Sequence, residues 1–115
     1  MAKLHSIRTC DTAKAVINVT SDKCYENYEW CWPYRENDPL GGHDPYSSSK
    51  ACAELVSAAY RKSFFSKLEI HLASVRAGNV FGGGDWAQNR LIPDFFRASD
   101  SGKNMRVRSP NAVRP

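Results

Sequence analysis

The sequence predicts an α/β fold with a parallel sheet of about three strands and flanking helices. Two observations support this prediction. Short apolar, β-branched runs at 15–20 and 69–76 are typical of buried strands, and segments with helical spacing separate or follow them. The resulting order of strand, helix, strand, helix and strand is typical of parallel strands joined by right-handed crossovers.

The composition is that of an ordinary globular protein. The chain has 115 residues, of which 42% are hydrophobic and 24% charged, so one small domain is predicted. Apolar runs are a few residues long, against the roughly 20 that a bilayer crossing needs, and no secretion signal follows Met1. We therefore expect a cytoplasmic protein without membrane contact. The basic residues behind the net charge of +4 follow no nucleic-acid-binding motif, so no such partner is expected.

The cysteines predict neither disulfides nor a metal site. Cys10, Cys24, Cys31 and Cys52 form no C-x-x-C pair, and no histidines accompany them at zinc spacing. Reduced thiols, partly buried as small apolar groups, are expected.

The first predicted elements are the end of a helix at 3–10 and the buried strand at 15–20. The strand runs directly into a polar cluster, Ser21-Asp22-Lys23. In open α/β sheets ligands bind just beyond the carboxyl ends of strands. The cluster is therefore the first candidate for chemistry.

A long aromatic loop follows at 25–42. Aromatic residues stand at alternate positions, which favours a hairpin or an extended flap with its rings on one side: Tyr28, Trp30, Trp32 and Tyr34. The rings could plug an apolar edge of the fold or form a lid over a sugar or base, and the sequence leaves both interpretations open.

A helix is predicted from Pro45 to about Phe65. Asp44 is a good capping residue, and proline suits the first helical position. An apolar stripe follows helical spacing: Cys52, Leu55, Val56 and Ala59. Tyr46 and Lys50 lie roughly 150° around the helix from that stripe. We therefore expect one side of the helix to face the sheet and the other a neighbour such as a second subunit, giving a homodimer.

Three further elements complete the prediction. The strand at 69–76 leads into a glycine-rich segment that ends at Trp86, and a helix is predicted at about 89–99. A short strand at 105–108 would be the third of the sheet. A sheet of three strands would leave its edges exposed.

Tyr46 and Lys50 are the strongest candidates for acid–base work. Residues four apart on a helix share a face, so the Lys50 ammonium can sit near the Tyr46 phenol. A nearby positive charge favours the phenolate, which makes a tyrosine usable near neutral pH. Alone, this spacing is more often a surface pair. Here, however, Ser21-Asp22-Lys23 and Gly78-Asn79 follow strands whose ends should meet at the same sheet edge.

Three motifs together resemble the extended short-chain dehydrogenase/reductase family. They are V-T-S-D-K-C-Y-E-N, D-P-Y-S-S-S-K and R-A-G-N-V-F-G-G-G-D-W. They are most similar to its nucleotide-sugar 4,6-dehydratases, in particular those that act on CDP-glucose; the dTDP-glucose relatives have Thr-Asp-Glu where this chain has Ser-Asp-Lys. The resemblance extends from about Leu4 to Pro115. It implies a Rossmann-like sheet, NAD as cofactor and CDP-glucose as substrate.

The resemblance also implies catalytic roles. Tyr46 would take the proton from the sugar 4-hydroxyl as hydride passes to NAD, and Lys50 would hold the nicotinamide ribose and lower the pKa of Tyr46. Ser21 would hydrogen-bond the same sugar oxygen. Lys23 would remove the C5 proton while Asp22 protonates the departing 6-hydroxyl. Because the base role needs a neutral amine, Lys23 would have to be buried or lie near another cation; it could instead be a charged anchor.

Three later residues are candidates for substrate binding. Asn79 resembles the family asparagine that contacts the sugar diphosphate. Trp86 and Arg90 could stack on or pair with the cytidine diphosphate, since the guanidinium fork matches phosphate oxygens. Purely structural roles for Trp86 and Arg90 stay open.

The glycine-rich turn that opens a dinucleotide-binding domain is not found in this sequence. Such a turn holds the pyrophosphate at a helix N-terminus, and no glycine precedes Gly41. We therefore expect an internal segment of an NAD-binding domain, with the start of the sugar-nucleotide-binding region, lacking the N-terminal βαβ half and inactive by itself. A non-catalytic dimerising fragment and an epimerase of the same family are the alternatives. The Asp22-Lys23 couple argues against an epimerase, which eliminates no 6-hydroxyl.

Overall fold

A computed structural model describes residues 2–115. Within it the chain divides into two compact units. The first contains the described residues up to Gly78 together with Arg114 and Pro115, and the second is Asn79–Val113. The prediction that both belong to one domain stays a prediction.

The first unit contains the predicted strand–helix–strand arrangement. Its helices and strands are α1 (Ala2–Arg8), β1 (Ala15–Ser21), α2 (Pro45–Ser63) and β2 (His71–Ala77). Single turns of 3-10 helix follow β1 at Asp22–Cys24 and α2 at Phe65–Lys67. The strand after α2 begins two residues later than predicted because Glu69 has a φ of 55°, a left-handed conformation that does not fit a strand.

The two strands pair in parallel. Ala15 lies opposite His71 and Ser21 opposite Ala77, so the carboxyl ends of both strands lie side by side. This arrangement, with helices flanking a parallel sheet, confirms the predicted α/β class. The polar cluster after β1 therefore lies where the fold predicts a ligand site.

The predicted third strand at 105–108 is wrong: in the part of the chain that the structure describes, the sheet has two strands. The segment alternates Met105 and Val107 with two arginines, and it lies in the second unit as irregular backbone. Arg108 donates to the side chains of Asn89 and Asp94 there. Four residues with two charged side chains bury too little apolar surface to offset the entropy of ordering a strand.

The apolar core lies at the amino end of the strands. Phe65, Ile70 and Leu72 are buried and pack against partly buried neighbours from the helices and β1: Leu4, Ile7, Val16, Tyr60 and Phe64. Val16 and Leu72 are opposite each other in the sheet. The core therefore stabilises the end of the sheet away from the polar cluster.

Helix α2 turns small and polar side chains toward the sheet. Its buried residues are Ser47, Ala51, Glu54 and Ser57. Leu55, from the predicted apolar stripe, is 59% exposed. The stripe thus lies on the side away from the sheet, as expected of a helix with a second interface, but the second subunit itself stays a prediction.

The aromatic loop is closed at its base by one backbone bridge, and its backbone is irregular between the two bridge residues. Tyr25 and Leu40 form one isolated antiparallel bridge, and residues 26–39, all described, contain no strand. Tyr28 contacts Trp30, and Trp30 contacts Tyr34, with ring centroids 5.0 and 5.2 Å apart. The hairpin interpretation is therefore wrong for these residues, the alternative of an extended flap stays a prediction, and three of the four alternating rings pack together.

The second unit contains α3 (Leu91–Asp100). The predicted start at 89 is two residues early, because Asn89 has a φ of 63° and Arg90 is extended. Neither conformation continues a helix. Among residues 2–115, no helix is long and apolar enough to cross a membrane.

Candidate active site

The polar cluster forms a tight turn at the end of β1. The Ser21 hydroxyl accepts a hydrogen bond from the Lys23 backbone N–H and donates one, 2.9 Å long, to the Asp22 carboxylate. Asp22 is buried, whereas Lys23 is exposed. The Lys23 side chain is therefore in contact with solvent in this chain, and its role as base or as charged anchor stays a prediction.

Tyr46 and Lys50 occupy the first turns of α2. Asp44 caps the helix, because its carboxylate accepts hydrogen bonds from the backbone N–H groups of Tyr46 and Ser47 at 2.9 and 3.0 Å. The Lys50 ammonium nitrogen lies 5.5 Å from the centre of the Tyr46 ring. Tyr46 is 53% exposed, so its phenol is open to a ligand.

The structure brings the turn after β1 and the start of α2 together. The 3-10 turn Asp22–Cys24 packs against α2. Hydrogen bonds from Ser47 lower the pKa of Asp44, and the positive charge of Lys23 adds to this effect. Lys23 therefore lies within electrostatic reach of the residue that caps the Tyr46 helix.

Asp22 has a partner that sequence reasoning missed. The Arg114 guanidinium donates hydrogen bonds to both Asp22 carboxylate oxygens, at 2.9 and 2.8 Å. The two residues are 92 positions apart, so no local signal predicts the pair. To protonate a leaving hydroxyl, Asp22 would have to exchange Arg114 for the sugar.

A buried ionic cluster lies beside the site and was also missed. Glu54 accepts a hydrogen bond from the Thr20 hydroxyl, and its two carboxylate oxygens lie 3.2 and 3.3 Å from the Arg76 guanidinium. Arg76 also lies over the Tyr25 ring, 4.8 Å from its centre. One sequence signal was available: Glu54 follows Lys50 by four residues and so shares the helix face of Tyr46 and Lys50.

The cluster is charged at neutral pH. Burial by itself would raise the pKa of Glu54, but the hydrogen bonds from Arg76 and Thr20 outweigh it and leave the pKa lowered. Burial would likewise lower the pKa of Arg76, yet hydrogen bonding to Glu54 leaves it raised. A buried pair with these contacts is costly to break from one side only.

Acid should weaken the fold through Glu54. Because its pKa in the folded chain lies below the ordinary 4.5, its contribution to stability is present above pH 4.5 and is lost as the pH falls through the folded value. Glu54→Gln should lower the free energy of unfolding by about 2 kcal/mol at pH 7. Urea titrations from pH 7 to 3 should show the two proteins converging. An unchanged difference at pH 3 would contradict a charged Glu54.

The three predicted substrate residues lie in the second unit. Asn79 begins it, and Arg90 precedes α3 with its guanidinium 3.7 Å from the Asp85 carboxylate. Trp86 is 70% exposed and lines an apolar pocket with neighbours that include Phe96. Their predicted roles in substrate binding stay predictions.

No metal site is formed by the described residues. Across 2–115, no three histidine, cysteine, aspartate or glutamate side chains lie close enough to hold an ion. The four cysteines are free thiols; Cys24 is buried and the others are exposed. Burial raises the pKa of Cys24.

The parallel strand–helix–strand unit, with Tyr46 and Lys50 four residues apart at the start of its helix, places the chain in the Rossmann-like α/β class. The chain belongs to the NAD dependent epimerase/dehydratase family, whose sequence profile matches residues 3–114.

Two similar proteins refine this assignment. The chain is 54% identical over 117 residues to CDP-glucose 4,6-dehydratase of Salmonella typhimurium (strain LT2), an alignment that covers 97% of this chain and 33% of that protein. A solved structure of UDP-N-acetylglucosamine 4-epimerase from Methanobrevibacter ruminantium M1, in complex with UDP-N-acetylmuramic acid, is also similar. It has a TM-score of 0.64 and 28% identity, covering 78% of this chain and 28% of that one. The chain thus spans about a third of the length of these proteins.

Proposed function

We propose that this chain supplies the acid–base groups of a nucleotide-sugar 4,6-dehydratase that converts CDP-glucose to CDP-4-keto-6-deoxyglucose. One observation carries the proposal: Ser21-Asp22-Lys23 ends β1 in a turn that packs against the helix bearing Tyr46 and Lys50. The 54% identity to the Salmonella enzyme supports the choice of substrate.

The residues at the start of α2 fit NAD. An exposed phenol with an ammonium group one helical turn away offers a hydrogen bond and a positive charge to the ribose end of a nicotinamide. Tyr46 and Lys50 would hold that end. NAD, when bound, would supply reversible hydride acceptance, so that the sugar is oxidised at C4 and reduced at C6 without net redox change.

Tyr46 would act on the 4-hydroxyl of the sugar. Its phenolate takes the hydroxyl proton, and the Lys50 ammonium stabilises the phenolate by its charge. The Ser21 hydroxyl would turn from Asp22 to donate a hydrogen bond to the same sugar oxygen. The resulting 4-keto group makes the neighbouring C5 proton acidic enough for the next step.

Lys23 and Asp22 would carry out the elimination. The Lys23 amine takes the C5 proton, the electron pair of that bond forms the C5–C6 double bond, and the C6–O bond breaks. Asp22 in its acid form gives its proton to the departing oxygen, which leaves as water. Because Lys23 is exposed and Asp22 is paired with Arg114 in this chain, a bound sugar would have to displace water and Arg114 from them.

Substrate and subunit contacts complete the proposal. Asn79 would contact the sugar diphosphate, and Trp86 and Arg90 would bind cytidine diphosphate; their exposure supports this. The outward-facing stripe of α2, with Leu55 at its centre, would form the contact with a second copy of the chain.

An epimerase is the second candidate, because the similar solved structure is a 4-epimerase. The two reactions differ in their product. Only the dehydration removes the 6-hydroxyl from the sugar. Only a dehydratase therefore needs an acid and a base beyond the tyrosine–lysine pair. Asp22 and Lys23 could supply them.

The product of one chimera distinguishes these candidates. Residues 3–114 would replace the matching third of the Salmonella enzyme, and the chimera would be incubated with CDP-glucose and NAD. We expect the 4-keto-6-deoxy product, detected by mass spectrometry as the loss of water. Lys23→Met should stop its formation, because no base remains for C5. A C4 epimer of unchanged mass would contradict the dehydratase proposal, and the chain assayed alone tests the non-catalytic alternative.

A further inference from the structure

We propose that Thr20, Glu54 and Arg76 form an ionic clamp that sets the spacing between the two halves of the active site. The proposal rests on the dehydratase function above and adds positioning residues to it. None of the three is assigned a chemical step.

The clamp joins the elements that carry the reacting groups. Thr20 is the residue immediately before Ser21 in β1, and Glu54 lies one helical turn beyond Lys50 in α2. The hydrogen bond from the Thr20 hydroxyl to the Glu54 carboxylate therefore spans from strand to helix next to both catalytic segments. A shift of α2 along or away from β1 would have to break it.

Arg76 joins the second strand, β2, to the clamp. It is paired with Thr20 in the sheet register, and its guanidinium contacts both oxygens of Glu54. It also donates to the Glu36 carbonyl, 3.0 Å away, and lies over the Tyr25 ring. Arg76 thereby holds the aromatic loop and the helix to the same strand end.

Burial makes the clamp rigid. Thr20 and Glu54 are 7% and 5% exposed, and Glu54 is the buried charged residue of α2. A buried charge without its partners is strongly disfavoured, so few other arrangements of the helix on the sheet keep Glu54 paired. The Phe65 cluster lies at the far end of the strands, so at this end the clamp acts together with the buried side chains of Cys24, Tyr25 and Ala51.

The chain provides a matched control. Asn18 donates a 2.8 Å hydrogen bond to the Ser57 hydroxyl, which joins the same strand to the same helix one step further from the site. A merely structural role for the clamp would make the two contacts equivalent. If the clamp positions the catalytic segments, only loss of the Thr20–Glu54 contact should disturb residues 21–24 and 46–50, and loss of the Asn18–Ser57 contact should not.

Hydrogen exchange in the full chain tests the clamp directly. Thr20→Val keeps the side-chain volume but removes the hydroxyl, Glu54→Gln removes the charge, Thr20→Ser restores the hydroxyl, and Ser57→Ala is the control. We expect amide exchange at residues 21–24 and 46–50 to rise at least tenfold in Thr20→Val and Glu54→Gln. Exchange there should stay within threefold of the parent in Thr20→Ser and Ser57→Ala. Equal increases in Thr20→Val and Ser57→Ala, or no increase in either, would overturn the clamp.

The kcat of the chimera adds a second measurement, because a change in folding stability alone should not lower kcat while leaving KM unchanged. Thr20→Val should lower kcat at least tenfold and leave KM for CDP-glucose within twofold, and Thr20→Ser should recover most of kcat. Equal losses of kcat in Thr20→Val and Ser57→Ala would count against positioning. A chimera without any product overturns the dehydratase proposal, whereas the exchange measurements still decide whether the clamp holds the two segments.

Discussion

Tyr46→Phe should lower kcat of the chimera for CDP-glucose by roughly 100- to 10,000-fold, the usual contribution of a positioned acid–base group. The substitution removes one oxygen and leaves the ring in place. Tyr46 is outside the apolar core and half exposed, so the folded chain should tolerate the change. Steady-state rates of 4-keto product formation measure the effect, and a urea titration confirms that stability is unchanged.

Tyr60→Phe is the matched control. Tyr60 lies in the same helix as Tyr46, but it packs against the apolar core at the other end of the sheet. Its loss of a hydroxyl should change kcat less than threefold. If Tyr46→Phe kept more than a third of the parent rate, the proton from the 4-hydroxyl would have to go elsewhere, and the proposed acid–base role of Tyr46 would be wrong.

The elements of the first unit were predictable because each has a strong local signal. The β-branched run at 15–20 marked β1, and Asp44 followed by Pro45 marked the start of α2. Both signals act within a few residues: branched side chains favour extended backbone, and a capping carboxylate satisfies helix N–H groups. The parallel pairing then followed from the order of elements.

The errors occurred where local signals are weak. The alternating residues at 105–108 suggested a strand, but a strand needs a neighbour to pair with and a face to bury, and nothing local specifies either. The helix after the glycine-rich segment began late because Asn89 has a positive φ and Arg90 is extended. The alternating rings at 28–34 favoured a hairpin or an extended flap, and the structure forms ring contacts without strands.

The candidate site was predictable in part for a different reason. Motif spacing and strand ends predicted that Ser21-Asp22-Lys23, Tyr46 and Lys50 share one sheet edge. The structure packs the turn after β1 against α2, and the catalytic roles of these residues stay predictions. The partners of these groups were not found. Arg114 reaches Asp22 across 92 residues, and Arg76 meets Glu54 only because register and helix packing bring them together. Such long-range charge pairs depend on tertiary structure and leave no periodic pattern in the sequence.

Phe65→Ala should cost about 3–5 kcal/mol of folding free energy, the usual loss for a large aromatic side chain in a core. Phe65 has no exposed surface, packs with Ile70 and Leu72, and lies 5.9 Å from the Tyr60 ring. Removing the ring leaves a cavity between α2 and the sheet that its neighbours can fill only in part. Since small domains are stable by roughly 5–15 kcal/mol, this one change should leave a large fraction of the chain unfolded under mild denaturant.

Urea unfolding followed by circular dichroism measures this loss. Leu68→Ala is the control, because Leu68 follows Phe65 closely in sequence but is exposed, and a surface change of this kind usually stays within about 0.5 kcal/mol. If Phe65→Ala and Leu68→Ala shifted the urea midpoint equally, the cluster around Phe65 would not be the core that holds α2 against the strands. Stability would then have to come chiefly from the polar contacts at the opposite end of the sheet, with Glu54→Gln rather than Phe65→Ala as the most destabilising change.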